Sequence, residues 1–68
     1  MNATATQVHN DDKVTTIDGR TYRVIGAPTP DEQRDYPDVR VWCVAIDDPD
    51  HEAWPRMDQI AKAEKVNW

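Results

Sequence analysis

The sequence predicts an α+β fold: a three-stranded antiparallel sheet, a short helix between the second and third strands, and a C-terminal helix packed on the sheet. Three observations carry this. Asp18-Gly19 sits between two β-rich runs, residues 13–17 and 20–25, and Asp-Gly in that setting is among the strongest short hairpin signals. Residues 39–46 form the longest apolar run, interrupted only by Arg40 and bounded by Pro37-Asp38 and Asp47-Asp48-Pro49, the pattern of a strand covered on both faces. Trp54, Met57, Ile60 and Ala61 recur at helical spacing near the C-terminus.

Taken in order, residues 1–12 are polar, with Val8 their only sizeable apolar side chain. So little apolar surface does not offset the entropy of ordering, and a flexible arm is expected ahead of a single small domain over 13–68. In the hairpin, a two-residue loop pairs Ile17 with Arg20 and Thr15 with Tyr22. It places Thr15, Ile17, Tyr22 and Val24 on the core face; a three-residue bulged loop would change that register. Gly26-Ala27-Pro28 ends the second strand. Thr29-Pro30-Asp31-Glu32 carries a capping signature, with Thr at the N-cap, Pro in the first turn and Glu three residues on. The helix ends before Pro37. At two turns it would not persist alone, so Tyr36 is its expected anchor. In the third strand Val39, Val41, Cys43 and Ala45 share one side, and Trp42, Val44 and Ile46 the other. After the 47–50 turn, Asp50 caps a first helical turn and Pro55 opens a helix to about Val66, with Lys62 and Lys65 at its cation-favouring end. Trp68 either tucks back on the domain, as a large terminal aromatic usually does, or equally marks a contact surface on so marginal a domain.

Size and charge bound the function. At 68 residues the chain draws only ~3–5 kcal/mol from its core, and the single Cys43 cannot form an internal disulfide. Thirteen acids oppose eight bases. From Asp31 to Glu52 eight acids meet two bases, −6, and the rest of the chain nets +1. Such a segment repels phosphate, which excludes direct binding of nucleic acid, and its natural complement is a basic protein surface. Residues 1–12 lack the cationic start and apolar centre of a signal peptide, and no apolar run approaches the ~20 residues that cross a bilayer. A free thiol fits a reducing compartment. The expected location is the cytoplasm.

Chemistry is not indicated. Ser is absent, and Cys43 alternates with valines in apolar, acidic surroundings that raise rather than lower a thiol pKa. Asp47, Asp48, Asp50, His51 and Glu52 invite a calcium reading, but Pro49 breaks the run, no Gly follows, and Gln59 stands where the distal Glu belongs. No metal, cofactor or catalytic residue is assigned, and a non-enzyme is expected. The candidate partner-binding residues are Asp31, Glu32, Asp35, Asp38, Asp47, Asp48, Asp50 and Glu52, with Trp54 as aromatic anchor. Duplex DNA presents one charge per ~1.7 Å of axis; these acids approach that density if they share one edge.

By size and charge alone, without a motif, the chain resembles the small acidic inhibitors made by phages and mobile elements, the anti-CRISPR proteins and other DNA mimics. That resemblance implies docking on a CRISPR effector subunit or another nucleic-acid enzyme and occlusion of its DNA path, in the host bacterial cytoplasm. The alternative is a structural or accessory module, such as a phage particle component, that assembles through a strand edge or apolar patch.

Overall fold

The structure, a computed structural model, describes residues 7–68; the first half of the expected arm lies outside them. One sheet organises the chain. It comprises β1 (Lys13–Thr16), β2 (Thr21–Gly26), β3 (Trp42–Ala45), β4 (Glu52–Ala53) and β5 (Ile60–Glu64), with α1 (Pro30–Asp35) between β2 and β3 and a 3-10 turn (Met57–Gln59) before β5. All pairings are antiparallel, in the order β4-β3-β2-β1-β5. The sheet therefore has five strands, not three. The core lies on one face, from Val14, Tyr22, Val24, Val41, Cys43, Met57 and Ile60, with Val8 added from the N-terminal segment.

The C-terminal helix is not there, and the reason is tertiary. A helix of about twelve residues is marginal alone, whereas β1 offers a row of unpaired backbone groups that β5 satisfies. Met57 and Ile60 are both buried in the core, but at the two ends of a single 3-10 turn closed by the Ile60 N–H on the Met57 carbonyl, not on a helix. Asp50 likewise caps no helix. The chain after 47–50 returns as β4, with Cys43 facing Ala53 and Val44 facing Glu52.

The β1–β2 hairpin forms at Asp18-Gly19 in the bulged register. The Gly19 N–H donates to the Thr16 carbonyl and the Thr16 N–H to the Arg20 carbonyl, 2.9 Å each. Within the loop Gly19 alone takes positive φ, +87°, so this is a type I turn closed by a left-handed glycine rather than a two-residue loop. The single-residue shift pairs Thr15 with Thr21 and Val14 with Tyr22, and it exchanges faces. Val14 and Thr16 go inward, and Ile17 stands 72% exposed at the loop.

α1 starts as its capping signature requires. The Glu32 N–H donates to Thr29 Oγ1 (3.2 Å), and the Thr29 N–H to Glu32 Oε1 (3.0 Å). Its anchor is Gln33, not Tyr36, which is exposed. The Gln33 amide accepts from the Val8 N–H (2.8 Å) and donates to the carbonyls of Val8 (2.7 Å) and Pro28 (2.8 Å). One side chain thus holds the helix and the segment before β1 together, and Val8 becomes core.

β3 keeps the expected alternation, with Val41 and Cys43 inward and Trp42 and Val44 outward. Its outer side is only partly covered, because the helix that was to form a second layer is a strand instead. No helix among the described residues is long and apolar enough to cross a membrane.

Candidate functional site: an acidic turn beside an apolar groove

The sheet register decides where the eight acids go. β2 ends at Gly26 opposite Trp42, so α1 and Asp38 lie at the end where β3 begins. Tyr22 faces Ala45, so the turn after β3 emerges beside the β1–β2 turn, at the other end of the sheet. A polar cleft between the two turns is lined by Arg20, Tyr22, Asp47 and His51, among others. The acids do not form one edge; they divide into two groups at opposite ends of β3.

At the α1 end, three of the four carboxylates have partners within the chain. Asp31 and Asp35 both hold Arg34, at 3.0 and 3.2 Å. Asp35 first, then Asp31, keeps the Arg34 guanidinium above its ordinary pKa. Glu32 closes the capping box. Asp38 is exposed, in the turn between α1 and β3.

The other group is built differently. The 45–51 turn is closed by backbone bonds: Ala45 N–H to the His51 carbonyl and His51 N–H to the Asp48 carbonyl, 2.9 Å each. The Asp50 N–H donates to Asp48 Oδ1 at 3.3 Å, an Asx-type closure. Asp47, Asp48 and Asp50 are exposed, and no cationic side chain among the described residues pairs with them. Glu52 sits on the outer face of β4, where it accepts from Trp42 Nε1 at 3.0 Å. The neighbouring β1–β2 turn adds Asp18. A hydroxyl hydrogen bond from Thr16 holds its pKa below the usual carboxylate value, and Arg20 partners it at 3.4 Å.

Trp54, expected beside these acids, points elsewhere. It is 51% exposed in a cleft with Ile17, Tyr22, Pro55 and Gln59. The apolar groove that does adjoin the acidic turn lies on the outer face, lined by Arg23, Ile25, Val44, Ala45, Ile46, Pro49 and Trp68, with a volume near 340 Å³. Trp68 does tuck back. Its Nε1 donates to the Asp11 carbonyl at 2.6 Å, and its ring lies 4.9 Å from the Arg23 guanidinium. Sequence reading missed this groove, although part of the signal was present: Val44 and Ile46 fall on the outer side of β3, and Trp68 comes back to line the groove with them.

Nucleophilic chemistry finds little support at Cys43. The thiol is buried in the core, and burial pushes its pKa up to about 12, so it stays protonated at neutral pH. Among the described residues no three His, Cys, Asp or Glu side chains converge as a metal site. No family model, curated protein or solved structure matches the chain.

Proposed function

We propose that this chain is a non-enzymatic binding protein whose 47–50 turn docks on a basic surface of a protein partner, of the kind that receives nucleic-acid phosphates, and so blocks it. The observation that carries this reading is the contrast in pairing. Asp47, Asp48 and Asp50 share one backbone-closed turn and form no ion pair among the described residues, while the acids of α1 already have partners. Unpaired carboxylates held close together repel one another and favour an external cation. Such a field speeds encounter and biases partner choice more than it adds affinity. With α1 at the far end of β3, the docking surface narrows to Asp47, Asp48, Asp50 and Glu52.

A second reading has its own observation. β5 is an open edge of five residues, and an accessory module that assembles by strand pairing needs such an edge. Salt separates the two, because exposed charges are screened beyond ~10 Å at 0.1 M. Capture of a partner from bacterial lysate, at low and then high salt, compares wild type with the double variant Asp47→Lys, Asp48→Lys. Docking through the turn predicts capture lost in high salt and lost in the variant. Unchanged capture in both arms would rule the turn out and favour the edge.

A further inference from the structure

We propose that the outer-face groove lined by Ile25, Val44, Ile46, Pro49 and Trp68 is the anchor pocket of the docking surface, taking an apolar side chain from a partner segment flanked by arginine or lysine. This rests on the reading of the acidic turn as a docking element. It adds what that element lacks, since charge steers association but a desolvated apolar anchor holds it.

The groove and the turn are one continuous surface. Pro49 forms part of the groove wall and stands in the chain between Asp48 and Asp50. Asp47 lines the neighbouring cleft with Arg20 and His51, so a side chain seated against Ile46 and Pro49 lies next to the acidic turn through Asp48 and Asp50, the chain neighbours of Pro49. The walls are apolar and open: Ile25 and Ile46 are each 37% exposed and Trp68 47%. The one charge in the lining, Arg23, is taken up internally. Its Nη2 meets Asp11 at 3.1 Å, and its guanidinium lies 4.9 Å from the Trp68 ring centroid, a cation–π contact. Asp11 and the Trp68 ring offset part of this positive charge, while Arg23 Nε is buried without a hydrogen-bond partner.

The charge of the adjoining turn selects the occupant. A nucleic acid or an acidic peptide meets the Asp47, Asp48 and Asp50 carboxylates and is repelled. A segment with cations on both sides of an apolar residue satisfies groove and turn together. Such a segment combines apolar burial with charge complementarity, and neither half alone accounts for both features.

The test uses the full chain, labelled with ¹⁵N, and three synthetic hexapeptides: alternating Arg-Leu, alternating Arg-Gly and alternating Glu-Leu. The Arg-Leu peptide is expected to shift the amides of Ile25, residues 44–48, Asp50 and His51, and the Trp68 indole N–H. It should bind roughly tenfold tighter than Arg-Gly, the effect of burying one apolar side chain in part. Glu-Leu should leave these resonances in place. Ile46→Lys, or Ile25→Thr if that variant is unfolded, should reduce Arg-Leu binding to the Arg-Gly level. Equal affinity for Arg-Leu and Arg-Gly, with shifts at the turn alone, would overturn the groove but leave the acidic turn standing. Equal binding of Arg-Leu and Glu-Leu would overturn the charge selection. No shift at Asp47, Asp48 and Asp50 with Arg-Gly at low salt would overturn the docking turn itself, and the anchor with it.

Discussion

At the entrance to β3, Asp31 and Asp35 close on Arg34 and Glu32 closes on Thr29. At its exit, Asp47, Asp48 and Asp50 share a turn closed by backbone bonds and form no ion pair among the described residues. The two stretches have similar composition, yet one uses its carboxylates to start and stabilise a helix and the other leaves them to solvent. What separates them is the local backbone. A helix N-terminus supplies donors and a positive dipole end that absorb acids, and its three-residue repeat brings Arg34 beside Asp31. This hairpin turn closes itself mainly through backbone groups, with one Asp48 carboxylate oxygen accepting from the Asp50 N–H, so its side-chain charges are not neutralised. Counting acids therefore overstates the field at one end and identifies it at the other.

The comparison is open to attack from the helix side first. Gln33→Ala would leave the Val8 N–H and the Val8 and Pro28 carbonyls without their partner. Loss of those bonds from a buried site costs about 3 kcal/mol, most of what so small a domain holds. Urea denaturation followed by tryptophan fluorescence should show the midpoint collapse. A near-unchanged midpoint would mean that α1 and the Val8 segment are not coupled through this side chain.

The strand joining the two ends supplies a pH test. In the folded chain the Cys43 thiol is raised to about 12 from an ordinary 9.0, by burial. Between those values the unfolded chain releases a proton that the folded chain retains, so the unfolded state binds fewer protons and stability falls as pH rises. The contribution is intact below pH 9 and declines above it by up to ~1.4 kcal/mol per pH unit. Comparison with Cys43→Val isolates this slope from the titration of Tyr and Lys. Equal slopes in both proteins would place the thiol in contact with water.

Smaller effects distinguish the two acidic groups directly. Thr29→Ala removes the acceptor for the Glu32 N–H and should cost about 1 kcal/mol, read as a lower melting temperature. The double variant Asp47→Asn, Asp48→Asn should change stability by less than about 0.5 kcal/mol, since these carboxylates have no cationic partner to lose. A larger destabilisation by that pair would show that the turn needs its acids to fold, and the contrast between the two ends would disappear.

Several features were legible from residue order. Thr29, Pro30 and Glu32 specify a helix start through contacts spanning three residues. Asp18-Gly19 specifies a hairpin because glycine takes the left-handed conformation cheaply. The alternation through β3 separates Val41 and Cys43 from Trp42 and Val44. For the candidate site, the acidic turn was visible as composition. Its independence from α1 was not, because that depends on the end of β3 at which each group lies.

Sequence by itself thus determined the local starts and stops: the Asp18-Gly19 turn, the α1 cap, the inward phase of β3 and the acidic turn beyond it. Tertiary structure alone decided the hairpin register, the conversion of 57–64 from expected helix to 3-10 turn and edge strand, and the union of Ile25, Ile46, Pro49 and Trp68 in one groove. The division has a physical reason. Caps and turns are settled by groups a few residues apart, whereas the state of 57–64 depends on β1 having backbone donors and acceptors still unpaired, and that is known only once the sheet has formed.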